Sequence, residues 1–398
     1  MAMTTKRTCP LCGKTSAKLY KAMKLADFDG ENPLCDFSVV GCECGFIFND
    51  LAASRKDIEN FYNKNELYPS EMGVGSGGSS VLDKERYKEA VDFIAPFLPR
   101  GKQSVLADVG CAKGGFLRYL KDNGFTDLRA VDLNPSMIVS IVNEIGIQGN
   151  QGSADALGMP HGSADVLVYS NILEHLFELD PVVREAKRVI SKTGIVVVEV
   201  PDASRYVKSR IADFYWFSQC EHINHFDANS LQRLLGKHGF SLLAIESSFM
   251  RLGVEATMPV IRAIFALGNN KQIFEITSGE NKALAAYIDQ EEKSLFGHRL
   301  QIKSLKESRT PVYIWGRGLE LQCLYSEGGL RDCFIQCIID KNPVKQGPTI
   351  DGLTVASPAC LENADAGTAV AITSALHHKS MTEHLQSIHY PGQIVYLV

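Results

Sequence analysis

The sequence predicts an α/β protein in which a Rossmann-like parallel sheet, covered by helices, is followed by a second, smaller α/β unit. Strand-like and helix-like segments alternate between Ser104 and Val200, as they do in βαβ units. A glycine-rich turn joins the first of these strands to its helix. The same alternation restarts at Pro311, after a long stretch without it.

The segments follow one another in a regular order. Predicted strands are short runs rich in Val, Ile and Leu, and predicted helices carry apolar residues at helical spacing. In the first unit we predict strands at 104–109, 128–132, 166–169, 194–200 and 240–246, and helices at 115–123, 137–144, 181–189 and 229–238. A largely helical stretch is predicted from Val260 to about Lys306, and further strands at 312–315, 334–340 and 369–373.

These segments divide the chain into four parts. The first part is rich in cysteine and turn residues and ends in the Gly/Ser stretch at 73–80, which predicts a loop. We predict a zinc-binding module at 1–78, a cofactor-binding α/β domain at 79–258, a helical connector at 259–306 and a C-terminal Rossmann-like domain at 307–398.

Composition excludes several classes of function. The 398 residues are 45% hydrophobic and 22% charged, as in a globular protein. The net charge of -5 gives no basic field for nucleic acid. Since apolar runs fall far short of a bilayer span and no secretory signal is visible, we expect a cytoplasmic protein with no membrane partner.

Two cysteine pairs predict a structural metal site. Cys9 and Cys12 form a thiolate knuckle closed by Gly13, and Cys42 and Cys44 form its counterpart. Four thiolates saturate a tetrahedral zinc ion and leave no position for water, so the expected role is structural. Two alternatives stay open: reduced thiols without a metal, and Cys35 as a ligand in place of Cys42.

The glycine-rich turn predicts a nucleotide-binding site. The strand ending at Val109 runs into Gly110 and Gly114, which open a helix, and such a turn lets the backbone approach a nucleotide closely. Asp132 ends the next strand, twenty-two residues after Gly110, where a carboxylate can hydrogen-bond a ribose. These features alone fit either a dinucleotide or S-adenosylmethionine.

Acidic residues favour S-adenosylmethionine. Asp108 could lie beside the methionine amino group but would repel a pyrophosphate, and Ala112 replaces the second glycine of a dinucleotide fingerprint. Asp155 could accept a hydrogen bond from an adenine amino group. This order resembles the class I methyltransferases. The candidate cofactor-binding residues are Asp108, Gly110, Cys111, Gly114, Asp132, Leu133, Asp155, Ala156 and Asn171.

Histidines beside carboxylates form two candidate catalytic segments. Glu174 and His175 follow the predicted strand at 166–169, and in many class I methyltransferases an equivalent pair is only structural. Glu221, His222 and His225 precede a helix, and such groups are costly to bury without a purpose. A histidine can accept a proton near neutral pH. A second metal site is a further alternative, although the segment offers no other clear ligands.

The assembled features resemble the sugar C-methyltransferases of deoxysugar biosynthesis, over nearly the whole chain. The segment Asp340–Gly347 is similar to that family's Asp-x-Asn-Pro-x-Lys-x-Gly element. The resemblance implies S-adenosylmethionine as methyl donor, a nucleotide-linked keto-deoxysugar as acceptor and a zinc module that helps to close the site. It also implies His222 as general base, with Glu221 beside it and His175 as the other active-site imidazole.

The chain departs from that family on the acceptor side. Gln219 replaces a common tyrosine, and Glu320 replaces a lysine in the loop that begins at Gly316. The alternatives are an O- or N-methyltransferase of another small molecule, a non-catalytic S-adenosylmethionine-binding scaffold and, as a weaker one, an NAD-linked oxidoreductase. The Gly316 turn is either a second nucleotide pocket or a packed turn, and the sequence leaves the oligomeric state open.

Overall fold

The computed structural model describes residues 2–64, 78–209, 211–252, 256–268, 280–349 and 351–398. Residues 73–77 of the predicted Gly/Ser loop lie outside these ranges. Across the described ranges, none of the helices combines the length and the apolar character needed to cross a membrane.

The N-terminal part forms an antiparallel sheet followed by a helix. Within the described residues its strands are β1 (Ala2–Thr4), β2 (Ser16–Lys24), β3 (Asp36–Cys42) and β4 (Ile47–Leu51), and its helix is α1 (Arg55–Lys64). Each strand pairs with the next in sequence. Cys9 and Cys12 lie in the turn before β2, Cys42 ends β3 and Cys44 lies in the turn before β4, so the sheet brings the two pairs to one end.

The central part has the βα alternation that the sequence predicts. Its first helix, α2 (Val81–Ile94), begins with a capping box in which Ser80 and Asp83 each accept from the other's backbone N–H. The elements that follow are β5 (Leu106–Val109), α3 (Gly115–Asp122), β6 (Leu128–Asp132), α4 (Pro135–Ile145), β7 (Gln148–Gln151), β8 (Ala164–Ser170), α5 (Asp180–Val189) and β9 (Ile190–Pro201).

Beyond β9 the chain completes this sheet and contributes to the first one. The elements are α6 (Tyr215–Ser218), β10 (Asn224–His225), α7 (Ala228–Gly236), β11 (Phe240–Arg251) and β12 (Thr257–Leu267). In the described part of the chain the central sheet has the order β11-β12-β9-β8-β5-β6-β7. The strands from β9 to β7 are parallel, and β12 lies antiparallel between β9 and β11. The predicted Rossmann-like sheet is therefore confirmed, and β10 joins the N-terminal sheet beside β4.

The prediction of helix from Val260 onward was wrong in its first part. Residues 257–267 form β12, and the helix of this region, α8, spans Glu280–Ser308. The run from Val260 to Phe265 is buried on both faces, because β12 has a strand on either side and helices cover the sheet. Such a strand shows no alternation, so its apolar pattern also fits a helix.

The C-terminal part is a second, smaller parallel sheet, as predicted. Within the described residues its order is β15-β16-β14-β13-β17-β18, with β15 alone antiparallel. Its elements are β13 (Val312–Trp315), α9 (Leu319–Ser326), β14 (Ile335–Ile339), β15 (Gly347–Pro348), β16 (Thr354–Ala356), β17 (Ala369–Ile372), α10 (His378–Ser387) and β18 (Gln393–Tyr396).

Short 3₁₀ turns complete the described chain, and one hydrophobic cluster joins its parts. The turns are Ala95–Phe97, Gly101–Gln103, Leu173–His175, Ala203–Lys208, Leu330–Asp332, Pro343–Lys345 and Pro358–Leu361. The cluster contains Met23 of β2, Trp216 of α6, Tyr287 of α8 and Val312 of β13. The N-terminal module, α8 and the C-terminal sheet therefore share a core.

Candidate active site

The glycine turn after β5 lies very close to the segment that follows β8. Gly110 has φ +72°, and a Cβ built on it would lie 2.1 Å from Cδ1 of Ile172. Gly114, at φ +71°, leaves similarly little room against Ile141 and Ile145 of α4. Only glycine fits these two positions, so the turn is held against the carboxyl ends of the parallel strands, where ligands bind in open α/β sheets.

Asp132 is fixed by the backbone of that turn. One carboxylate oxygen accepts the N–H of Ala112 at 3.0 Å, and the other accepts the N–H of Asn134 at 2.8 Å. Ala112 itself has φ +46°, a conformation that alanine adopts at a cost. Burial raises the pKa of Asp132, although the backbone hydrogen bonds oppose that shift. Leu133 follows directly and is half-buried.

Asp108 is a buried acid at the end of β5. Only 5% of its surface is exposed. Burial raises its pKa to about 7, and the neighbouring Asp132 carboxylate adds to the shift. The thiol of Cys111, three residues after Asp108, is buried as well, and burial raises its pKa. A cation placed beside Asp108 would favour the ionised carboxylate.

Asp155 has protein partners of its own. It accepts from the Ser153 hydroxyl at 2.6 Å and pairs with Arg55 of α1 at 2.7 Å. These partners lower its pKa, in opposition to burial. Ala156 donates its N–H to the Ser153 carbonyl at 3.0 Å and closes the same turn. The carboxylate predicted to face adenine is thus tied to the N-terminal module.

Asn171, after β8, belongs to a buried network that sequence reasoning missed. It has φ +54°, and its amide donates to the Glu199 carboxylate at 3.3 Å. Glu199 also accepts from Ser170 at 2.9 Å and from Arg262 Nε of β12 at 2.8 Å. Among the described residues, Oδ1 of Asn171 is buried and has no hydrogen-bond partner. Nothing in the sequence pairs Glu199 with Arg262, because the prediction placed Arg262 in a helix.

The two histidine segments converge. The ring centroids of His175 and His222 lie 4.7 Å apart, edge to face. Ligand-type atoms of Glu174, His175 and His222 all lie within 4.8 Å of one another. The side chain that completes this group is Glu174, whereas Glu221 contributes its backbone carbonyl, 3.1 Å from Nδ1 of His175. Sequence reasoning identified both segments but not the role of Glu174.

Glu174 is buried, His222 is 9% exposed and His175 is half-buried, and desolvation is the largest cause of the pKa shift of each. Burial raises the pKa of Glu174 to about 8 and lowers that of His175 to about 4. The pKa of His222 is well below its usual value, through burial and then through the neighbouring imidazoles. Within the described chain, both carboxylate oxygens of Glu174 and Nδ1 of His222 have no hydrogen-bond partner.

His225 does not join the group. Its Nδ1 lies 3.0 Å from the Tyr206 hydroxyl, and its Nε2 lies 3.0 Å from Oδ1 of Asn49. Burial lowers its pKa to about 3. With both ring nitrogens occupied, His225 ties β10 to the N-terminal sheet.

Arg7 of the N-terminal module connects the two histidine segments. Its guanidinium donates to the carbonyls of Leu176 and Phe177 after His175, and to the carbonyl of Ile223 and the side chain of Asn224 after His222. The distances run from 2.6 to 3.2 Å. Burial lowers the pKa of Arg7 to about 9. An arginine between Lys6 and Thr8 carries no sequence signal of this role.

The four predicted cysteines lie together. The Sγ atoms of Cys9 and Cys44 are 3.7 Å apart, and those of Cys12 and Cys42 are 3.4 Å apart. Thiolates about 2.3 Å from a tetrahedral zinc ion lie roughly 3.8 Å from one another, so the donor set fits zinc. Cys35 lies elsewhere, hydrogen-bonded to Cys220, and does not replace Cys42.

Both knuckles have the same construction and rest on one helix. Gly13 donates to the Cys9 carbonyl and Gly45 to the Cys42 carbonyl, each at 2.8 Å and each at positive φ. Arg233 of α7 donates to the Cys44 carbonyl, and Lys237, the C-cap of α7, donates to the Leu11 carbonyl. The cysteine group is therefore fixed to the central domain.

The structure shows the surroundings of Gln219 and Glu320, the two residues that depart from the family pattern on the acceptor side. The Gln219 amide donates to the Tyr215 hydroxyl at 2.8 Å, so a phenol lies beside the position where tyrosine was expected. The Gly316 turn is filled by the protein itself: Arg317 donates its N–H to Asp340 at 3.1 Å, and Glu320 accepts the N–H of Ala375 at 3.3 Å. These contacts favour a packed turn over a second nucleotide pocket.

Comparison with known proteins supports the central domain's assignment. Residues 82–245 match the family model of a methyltransferase domain. No curated protein matches the chain. Similar solved structures include the [4+2]-cyclase SpnF, with 14% identity, 55% of this chain and 98% of that chain covered and a TM-score of 0.42. Another is an S-adenosylmethionine-dependent methyltransferase from Mesorhizobium loti, with 17% identity, coverage of 46% and 99% and a TM-score of 0.37.

A third similar structure is an S-adenosylmethionine-dependent methyltransferase from Archaeoglobus fulgidus, with 16% identity, coverage of 46% and 93% and a TM-score of 0.36. The assignment itself rests on the matched residues, which contain the glycine turn and Asp132, and on the sheet that carries them. The central domain has the class I methyltransferase fold, and this chain contains a methyltransferase domain.

Proposed function

We propose that this methyltransferase methylates the carbon next to the ketone of a nucleotide-linked keto-deoxysugar, with His222 as general base. The observation that carries the proposal is the buried Nδ1 of His222, which has no hydrogen-bond partner among the described residues. The contact of Ile172 with the cofactor turn supports it, because Ile172 lies two residues before Glu174 and therefore brings the histidine group beside that turn.

Residues of the central domain would hold the methyl donor. We assign Asp108 to its amino group, Asp132 to its ribose and the turn from Gly110 to Gly114 to close backbone contact, with Cys111, Leu133, Ala156 and Asn171 lining the same edge. Asp155 already pairs with Arg55. To accept a hydrogen bond from adenine, it would either keep that partner or exchange it for the adenine amino group. When bound, S-adenosylmethionine supplies an electrophilic methyl group on a sulfonium.

The chain's own part in the reaction is proton transfer and positioning. His222 removes a proton from the carbon next to the ketone, and the electron pair of that C–H bond becomes an enolate whose carbon takes the methyl group. His222 later releases the proton to solvent. His175, held by the Glu221 carbonyl, borders the same space and keeps the His222 ring in place. Alignment of the carbon with the methyl group supplies most of the remaining rate enhancement.

We also propose a structural zinc ion at Cys9, Cys12, Cys42 and Cys44. The four sulfur atoms have the spacing that a tetrahedral ion requires. Arg7 lies two residues before the first ligand, so an ordered knuckle fixes Arg7, and Arg7 fixes both histidine segments. The zinc module at 1–78, the first of the four predicted parts of the chain, would thus help to close the site through Arg7.

The test separates deprotonation from methylation. In D₂O with S-adenosylhomocysteine and a panel of nucleotide 4-keto-deoxysugars, we expect deuterium to enter next to the ketone at a rate lost in His222→Ala. The matched control is His238→Gln, since His238 pairs with Asp180 away from the group. With methyl-labelled S-adenosylmethionine, the label should appear on that carbon by NMR.

The same experiment addresses the second candidate. A neutral imidazole without a partner can also deprotonate a hydroxyl or an amine, so the geometry of His222 fits an O- or N-methyltransferase as well. Label on oxygen or nitrogen would establish that activity and overturn C-methylation. Cofactor binding without any labelled product from the panel would favour a scaffold.

A further inference from the structure

We propose that Glu174, His175 and His222 bind a divalent transition-metal ion, at a site distinct from the four cysteines. Their ligand-type atoms lie within 4.8 Å of one another. Two imidazoles and one carboxylate are a common set for zinc and other first-row metals. The binding does not depend on which acceptor the enzyme methylates.

The carboxylate has no partner from the described protein. Glu174 is 1% exposed, and neither of its carboxylate oxygens has a hydrogen-bond partner among the described residues. An isolated buried carboxylate is strongly unfavourable, and it is stabilised by a cation or by protonation. A metal ion between Glu174 and the two imidazoles satisfies it directly.

The two histidines differ in the ring nitrogen that each offers to a metal ion. Nδ1 of His175 lies 3.1 Å from the Glu221 carbonyl and 3.0 Å from the Tyr62 hydroxyl. In the tautomer that donates to the carbonyl, Nε2 keeps a lone pair for a metal. A backbone carbonyl on the far nitrogen is the arrangement that orients metal-bound histidines. His222 offers Nδ1, buried and unpartnered within the described residues.

Three protein ligands leave a fourth position open on a tetrahedral ion. A donor oxygen of a small molecule, or water, can occupy it. Because a bound ion uses a lone pair of His222, metal binding and proton abstraction by His222 compete. The metal-loaded enzyme is therefore an inhibited form for the carbon deprotonation proposed above.

The donor chemistry of the two sites differs, which makes them separable with Co²⁺ as a spectroscopic probe. The full chain is first loaded with one equivalent of Zn²⁺, which fills the thiolate site, and is then titrated with Co²⁺ without acceptor. We expect one further equivalent to bind, with weak visible bands and no thiolate charge-transfer band. Failure of the zinc-loaded wild type to bind Co²⁺ saturably would overturn the proposal.

Variants locate the second equivalent. Glu174→Gln and His222→Asn should each weaken Co²⁺ binding at least tenfold, whereas His238→Gln should not change it. Thiolate bands of the variants, when Co²⁺ instead fills the cysteine site, show that the fold is retained. Unchanged Co²⁺ affinity in both Glu174→Gln and His222→Asn would also overturn the proposal, whatever the result of the labelling experiment.

Discussion

The guanidinium of Arg7 donates a hydrogen bond to the carbonyl oxygen of Ile223, 3.1 Å away, and so joins the N-terminal module to the residue that follows His222. The same guanidinium reaches carbonyls after His175. A residue outside the methyltransferase domain therefore bridges the two segments that carry the imidazoles.

Arg7→Lys tests this connection. A lysine ammonium is compact and cannot span carbonyls on both sides, so buried acceptors lose their partners, at about 1–3 kcal/mol for each one left unsatisfied. We expect a loss of roughly 3 kcal/mol in the free energy of unfolding and a fall in kcat, with the affinity for S-adenosylhomocysteine unchanged. Urea unfolding measures the free energy of unfolding, and calorimetric titration measures the affinity for S-adenosylhomocysteine. Lys6→Ala, at the exposed neighbouring residue, is the control. A Lys6→Ala effect equal to that of Arg7→Lys would contradict this role.

Cys12→Ser tests the zinc ion. Removing one of four thiolates should abolish tight binding of one zinc per chain and lower the midpoint of thermal unfolding, by roughly 4 °C for a loss of about 3 kcal/mol in a chain of this length. Elemental mass spectrometry and calorimetry report the two effects. Cys360→Ser, in the C-terminal domain, is the control. Equal zinc content in both variants and the wild type would exclude the site.

Asp108 predicts a pH dependence of cofactor affinity. Because burial raises its pKa to about 7, the carboxyl is increasingly neutral below pH 7 and attracts the donor's ammonium group less. The dissociation constant of S-adenosylhomocysteine should therefore rise as pH falls from about 8 to 5.5. Asp108→Asn should bind more weakly at pH 8 and lose most of this pH dependence, as followed by fluorescence or calorimetry. If the affinity of the wild type stayed the same across this pH range, the assignment of Asp108 to the donor's amino group would be wrong.

Gly110→Ala tests the close approach of the turn. The added Cβ would overlap Ile172, and alanine would have to adopt a φ of +72°. We therefore expect a loss of about 3 kcal/mol in the free energy of unfolding together with loss of cofactor binding. Gly101→Ala is the matched control, since its φ is +54° and it has nothing within 4 Å of an added Cβ. That control should cost only about 1 kcal/mol. Similar losses in both variants would show that backbone conformation alone restricts Gly110.

The parallel core was predictable because local pattern and tertiary structure agree there. The strand at Leu128–Asp132 has the predicted bounds, and the predicted strand at 166–169 lies inside β8. In each case a short, largely apolar run is bounded by turn residues. Asp132 was predictable for the same reason, since its position follows from the strand that it ends.

Contacts between distant segments were not predictable in this way. Glu174 and His222 are forty-eight residues apart, and their meeting depends on how the turn after β8 packs against the segment before β10. Arg262 was assigned to a helix because a strand buried on both faces carries no alternation. Its partner Glu199 could be identified only once β9 and β12 were known to be neighbours.

The pairing of β10 with β4 has a consequence for how the chain folds during synthesis. Phe48 and Ile47 pair with Asn224 and His225, so the edge of the first sheet stays uncovered until the ribosome has produced the segment that follows the fifth parallel strand. The first module to be translated is thus among the last to be finished. A nascent chain released before His225 would expose an unpaired strand edge, and its first sheet would need a chaperone, or a second chain, to protect it.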